Sequence, residues 1–197
     1  MDELERFEQS LRSRMSSYDL TLSAETLSQL EEYYRLLTHW NERLHLVAPC
    51  SPEEFATRHV LESLLLLSHL PQHATVADVG SGAGLPIIPC LIARDDLEAT
   101  LIESSQKKAV FLREALNAVG RKATIVARRF EEIEAPGVSF VTCRALDQFT
   151  AKLPELIDWA PPGATLLLFG GEALLPNANK FLIPNSDKRF LYVVTRG

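Results

Sequence analysis

Apolar residues recur along this chain in two rhythms, and the change between them falls at about residue 75. Before it the spacing is helical. Leu4, Phe7, Leu11 and Met15 stand three or four residues apart, which predicts an amphipathic helix over residues 1–16. Leu27, Leu30, Tyr34, Leu37 and Leu44 continue the pattern and predict a longer helix, capped by Ser23 and running to about Leu46. Ser51-Pro52-Glu53-Glu54 predicts a third start: Ser51 caps, Pro52 takes the first helical position, and Glu54 completes a capping box. Phe55, Leu61, Leu64, Leu65 and Leu67 supply that helix's apolar surface, and Pro71 ends it.

From Thr75 onward short apolar runs alternate with helical patterns, which predicts an α/β fold with a parallel sheet. The predicted strands are 75–79, 98–102, 123–127, 138–143 and 164–169, with two short candidates at 180–183 and 189–195. Ser105 caps a helix carrying Val110, Phe111, Leu112, Leu116 and Val119, which Gly120 closes. Another helix begins at Asp147, continues through Leu153, Leu156 and Ile157, and stops at Pro161-Pro162-Gly163. No glycine- or serine-rich linker separates the two rhythms. The helical segment 1–74 is therefore expected to pack on the α/β core 75–197 as a single domain.

The candidate chemistry centres on Val76-Ala77-Asp78-Val79-Gly80-Ser81-Gly82-Ala83-Gly84-Leu85-Pro86. A buried strand runs into alternating glycines and then into an apolar helix, the layout of a nucleotide-cofactor site in a doubly wound fold. Glycine permits tight turning and close backbone approach because it has no Cβ. A dinucleotide fingerprint needs G-x-G-x-x-G, yet the sixth position of a motif starting at Gly80 is Leu85 and of one starting at Gly82 is Ile87. This disfavours an NAD oxidoreductase. No G-K-[ST] follows, so a P-loop is also disfavoured. An acid followed by alternating glycines resembles the first motif of S-adenosylmethionine-dependent methyltransferases. Glu103 ends the next strand about 20 residues past the loop, where such folds place an acid on the ribose hydroxyls.

Charge and composition narrow the classes further. The formal net charge of −6 argues against generic electrostatic nucleic-acid binding, although cations cluster locally at Lys107, Lys108 and Arg113, at Arg121, Lys122, Arg128 and Arg129, and at Lys188, Arg189 and Arg196. The acidic N-terminus has no signal-peptide core, and no apolar run is long enough to span a membrane. Three widely spaced cysteines suggest reduced thiols in a cytoplasmic protein. No metal site is expected: His69 and His73 have helical spacing, but Pro71 between them breaks the helix that would align them.

Several runs together resemble one family, the bacterial 16S ribosomal RNA guanine-N7 methyltransferases, also called glucose-inhibited division protein B. They are His39-Trp40-Asn41, Arg58-His59-Val60-Leu61-Glu62-Ser63, the Asp78–Pro86 loop, Lys107-Lys108 with Phe111-Leu112, Arg129-Phe130-Glu131-Glu132, Cys143-Arg144-Ala145 and Arg189. The resemblance implies a Rossmann-like methyltransferase fold, a seven-stranded sheet with an antiparallel last strand and an N-terminal helical cap. It implies S-adenosylmethionine as cofactor, and 16S ribosomal RNA or the small ribosomal subunit as partner. By position it implies that Asp78, Gly80, Gly82, Gly84, Leu85 and Glu103 hold the methionine and ribose parts. Arg129, Phe130 and Glu131 would lie beside the adenine. Arg144 and Arg189 would be the catalytic cations facing RNA at the methyl donor, with Arg144 also touching the cofactor. The chain departs from the family pattern at Glu62, where an aspartate is usual, and at Gly170, where a lysine is usual. Slower transfer or weaker RNA binding is expected from the second departure, and Gly170→Lys is expected to raise methylation.

Overall fold

A computed structural model describes residues 2–144 and 149–197. Its N-terminal part is helical: α1 is Glu3–Arg14, α2 is Ala24–Leu44, and α3 covers residues 52–68. Asp2 caps α1 reciprocally with Glu5, a capping box that the apolar pattern does not reveal. Ser23 caps α2 by accepting from the Thr26 N–H at 3.0 Å. The helix stops at Leu44, two residues before the predicted end, because His45 turns to φ 47°. Asn41 seals that turn, accepting from the Val47 N–H at 2.9 Å and donating to the Val47 carbonyl at 3.1 Å.

Ser51 caps α3 through the Glu54 N–H as predicted, but Glu54 does not close the box; its carboxylate pairs with Arg58 at 3.1 Å. The helix then widens to π geometry over Phe55–Leu61, regains α geometry over Glu62–Leu64, and ends in a 3₁₀ turn at Leu65–Ser68. Nothing in the periodicity announces the wide turn.

The α/β part contains β1 (Thr75–Val79), α4 (Ile87–Ala93), β2 (Glu98–Ile102), α5 (Gln106–Ala118), β3 (Thr124–Val126), β4 (Phe140–Cys143), α6 (Phe149–Trp159), β5 (Thr165–Gly171), β6 (Asn179–Leu182) and β7 (Arg189–Thr195). The expected helix start at Asp147 lies outside the described residues, as does Ala145. Seven strands form one sheet in the order β3-β2-β1-β4-β5-β7-β6. The first five are parallel, β7 runs antiparallel to β5, and β6 runs antiparallel to β7. β5 continues past Phe169 because Gly170 and Gly171 pair with Phe190 and Arg189. That register brings Arg189 to the same edge of the sheet as the carboxyl ends of the parallel strands.

The helices before β1 are not separately packed. Phe7 and Leu11 of α1, Leu30 and Tyr33 of α2, and Phe55 and Leu64 of α3 share one core with Val76, Ile88, Leu101 and Leu112 of the α/β part. Phe7 stacks on Tyr34 at 4.4 Å, and Trp40 meets the edge of Phe111 at 6.0 Å. Aromatic contacts of this kind add to the area each ring buries. A smaller cluster fills the other sheet face, where Leu153 and Leu156 of α6 cover Val79, Val141 and Tyr192.

Candidate active site

The order of strands reverses at β1, with β2 on one side and β4 on the other. In open α/β sheets the crevice beyond the strand ends at such a point is where ligands bind. Here that crevice is a cleft of about 580 Å³, walled by the glycine loop, Glu103, the 128–131 segment, residues 46–48, His59, Arg144 and Lys152. Its volume falls in the range of small-molecule sites.

The glycine loop is set by its backbone. Gly80 and Ser81 donate to the Ile102 carbonyl at 2.9 and 3.1 Å, which folds the loop over the end of β2. Gly82 and Gly84 stand at φ 52° and 82°, where side-chain-bearing residues are strained. At Gly84 a Cβ would lie 2.3 Å from Ile88 Cδ1, so the glycine also lets the loop seat on α4. From the other side, the buried Tyr33 hydroxyl donates to the Ala83 carbonyl at 2.6 Å. A helix of the N-terminal segment thus fixes the loop's height above the sheet.

Glu103 faces the loop. Its carboxylate accepts from the Gly82 N–H at 2.8 Å and from the Ser105 N–H at 2.7 Å, so both its oxygens are oriented before any ligand arrives. Gly80, Gly82, Leu85, Arg129, Phe130 and Glu131 also line the cleft. Gly84 does not line it; it turns toward α4. Asp78 does not line it either. Its carboxylate is fully buried beneath the loop with no hydrogen-bond partner among the described residues, and the Ser81 hydroxyl donates to the Asp78 carbonyl oxygen instead. Burial, with Glu103 nearby, pushes the Asp78 carboxyl up to about 8, so at neutral pH it is largely the neutral acid.

On the opposite wall, Lys152 pairs with Glu131 and lies 5.6 Å from the centre of the Phe130 ring. Lys108, Arg128 and Arg129 ring the mouth with further positive charge. His59 also lines the cleft; its Nδ1 is buried without a hydrogen-bond partner among the described residues, and burial followed by the neighbouring Arg144 holds the imidazole down to about 3. It is a neutral group at any working pH.

Arg144 leaves the end of β4 and lies along the cleft wall, 5.6 Å from the Phe169 ring centre. Its guanidinium donates to the carbonyls of Arg58 and His59 and to Ser63 Oγ, the last at 3.2 Å. Arg189 does not line the cleft. It lies in an adjoining open basin between α3 and the turn before β7, beside Arg58 and Lys188. The two arginines are nevertheless joined: the Glu62 carboxylate stands 3.6 Å from Arg144 Nη2 and 2.7 Å from Arg189 Nη2, with only 3% of its side chain exposed. Sequence reasoning assigned no role to Glu62, nor to Tyr33 or Lys152. The signals for Glu62 are its place in the Arg58–Ser63 run and a carboxylate set among the apolar residues Val60, Leu61 and Leu64–Leu67. Gly170 points its missing Cβ at Leu174, whose Cδ2 would be 2.4 Å away, so a lysine there meets Leu174 first.

Among the described residues no group of His, Cys, Asp and Glu could hold a metal ion, and no helix is long and apolar enough to cross a membrane.

A Rossmann-like sheet in this order, with a glycine loop and an acid at the end of the next strand beside its switch point, is the fold of S-adenosylmethionine-dependent methyltransferases. Solved structures agree on the fold. A SAM-dependent methyltransferase from Aquifex aeolicus superposes with TM-score 0.56 at 17% identity, over 73% of this chain and 93% of that one. An RNA methyltransferase from Salinibacter ruber, in complex with S-adenosyl-L-homocysteine, gives 0.55 at 16% identity, over 76% of this chain and 94% of that one. A family model, GidB, described as rRNA small subunit methyltransferase G, matches residues 26–181, and the chain belongs to that family. Proteins named ribosomal RNA small subunit methyltransferase G are 39% identical to it in Gluconobacter oxydans, over 78% of this chain and 79% of the relative. The figure is also 39% in a Methylobacterium, over 81% and 74%, and 38% in Xanthomonas campestris, over 77% and 72%.

Proposed function

We propose that the chain transfers a methyl group from S-adenosylmethionine to N7 of a guanine in 16S ribosomal RNA, presented as RNA or in the small ribosomal subunit, in the cytoplasm. The observation that carries the reading is the Glu103 carboxylate, held by Gly82 and Ser105 at the floor of a cleft that this family's glycine loop encloses. The residues fit the cofactor. Glu103 keeps lone pairs free for two ribose hydroxyls, the Phe130 side offers an apolar wall for adenine, and the loop backbone allows the methionine part to approach closely.

The cofactor supplies an activated methyl on a sulfonium sulfur. Guanine N7 attacks with a lone pair, so no proton has to be removed first. This chain's contribution is alignment and charge placement rather than general base catalysis. His59 agrees with that division, since burial and the charges of Arg144, Arg58 and Arg189 hold its imidazole down to about 3, too weak a base to take up a proton at neutral pH. Arg144 borders the cleft, and arginine can hold guanine O6 or a phosphate oxygen. A base that reaches such a cleft has to leave its stack or lie in an open loop. We take the whole chain as one methyltransferase domain, with α2 and α3 forming part of the wall.

A second reading is a cofactor-binding module that acts in ribosome assembly with little turnover. It draws on Arg144 and Arg189 being engaged with Glu62 and α3, and on Gly170 standing in the lysine position. Mass analysis of 16S RNA from cells with and without the gene separates the two. Loss of one N7-methylguanine supports transfer; an unchanged RNA with altered subunit assembly supports the module.

A further inference from the structure

Glu62 sits where the cofactor cleft meets the basin beside it. Arg144 borders the cleft and Arg189 borders the basin, and they come from strands that are separated in the sheet by β5. Two guanidinium groups brought together repel each other. The carboxylate between them, reached by one oxygen from each side at 3.6 and 2.7 Å, removes that repulsion and sets their spacing. Ser63 and the Arg58 and His59 carbonyls fix Arg144 further, whereas among the described residues Arg189's side chain has beyond Glu62 the Ser186 hydroxyl alone, at 3.2 Å. Arg189 is also the more exposed of the two, at 35% of its side chain against 14%. Its direction therefore depends chiefly on Glu62.

We propose that Glu62 is a positioning residue for methyl transfer, holding Arg144 at the cleft and Arg189 at the basin in one fixed spacing so that the RNA backbone is received across both. The inference rests on the methyl-transfer reading above. It makes the basin, with Lys188 and Arg58 beside Arg189, the place where a phosphate next to the target base is held. Glu62 itself touches neither RNA nor cofactor.

The test compares the full-length wild type with Glu62→Gln, which keeps the shape and removes the charge, and Glu62→Asp, which keeps the charge and leaves a small void. Tritiated methyl incorporation into small subunits gives kcat and KM, and calorimetry gives the S-adenosylmethionine Kd. Glu62→Gln is expected to lower kcat at least tenfold with Kd within twofold, while Glu62→Asp stays within threefold of wild-type kcat. A role in packing alone predicts the reverse order, because the aspartate leaves the larger void; that result, or a Glu62→Gln kcat within twofold of wild type, overturns the proposal. If Glu62→Gln fails to fold, Arg189→Gln breaks the same link from its exposed end. A kcat at least fivefold lower at unchanged Kd supports the proposal, and an unchanged kcat overturns it. A wild type inactive on both 16S RNA and small subunits overturns the methyl-transfer reading, and this inference with it, before any variant is compared.

Discussion

The two halves of the cleft are built by different means. On the β1–β2 side the ligand-facing groups are fixed by backbone hydrogen bonds over short stretches: Gly80 and Ser81 to Ile102, Gly82 and Ser105 to Glu103. On the β4–β5–β7 side they are fixed by side chains that come together from residues 58–63, 144 and 189. The first arrangement draws all these donors from the main chain and needs few side chains, chiefly the Glu103 carboxylate and the Tyr33 hydroxyl. The second depends on three charged groups at once, and removing any one leaves the others unbalanced in a poorly solvated place.

The sharpest way to break this contrast is Arg144→Ala. It strips Glu62 of one buried partner and takes a charged donor from the Arg58 and His59 carbonyls, the latter still accepting from Ser63 Oγ, a change of the kind that costs about 3–5 kcal/mol. Methyl incorporation into 16S RNA is expected to fall to background, and the urea midpoint to drop. If the variant transfers methyl at the wild-type rate, the side-chain-built half of the cleft is not part of the site. On the other half, Glu103→Ala is expected to weaken S-adenosylmethionine binding by about 1–3 kcal/mol, the range for a hydrogen bond to a charged group, while the fold persists. Calorimetry with unchanged affinity would remove Glu103 from the site.

The same division decides what the sequence reveals. The strand, the glycines and Glu103 lie within about 30 residues and follow a spacing imposed by the turn itself. Their layout could be read without coordinates. So could the caps at Ser23, Ser51 and Ser105, because a cap is a local hydrogen bond. The Glu62–Arg144–Arg189 link could not, since it is made by the register of β7 against β5 and by the seating of α3. Asp78 misleads for a related reason: it sits in the motif, yet strand alternation turns its side chain under the loop and away from the cleft.

Asp78 offers a gentler test. Its folded pKa near 8 lies above the unfolded value of about 3.9, so its contribution to stability is fully present below about pH 4 and is lost as pH rises toward 8. Asp78→Asn removes this titration. The stability of wild type relative to the variant should fall with rising pH by up to about 1.4 kcal/mol per unit in that window, as read from urea unfolding at pH 5, 6, 7 and 8. Parallel curves would mean that the carboxylate is already ionised. Smallest of all is Gly170→Lys. Leu174 is only half-buried and can swing aside, so a stability loss of under about 1 kcal/mol is expected. Because the new side chain leaves β5 toward Leu174, methyl incorporation should change by less than twofold rather than rise. A large gain would show that the added charge reaches the RNA-facing side.

The widened turn at Phe55–Leu61 behaves as a phase shifter. An α-helix advances each side chain about 100° around its axis, so a helix that presents Phe55 to the core fixes where every later residue points. Spacing the hydrogen bonds five residues apart slows that rotation for one stretch. The early part of α3 can then stay in register with Phe7 and Tyr34, while Glu62 and Ser63 come round to meet Arg144. At ordinary α pitch the same residues would carry Glu62 further round the axis by about one residue's rotation and turn it away from both arginines, whereas deleting one residue from the stretch would restore that pitch and leave Glu62 facing them. The helix thus carries two incompatible alignments, and its local unwinding lets both hold.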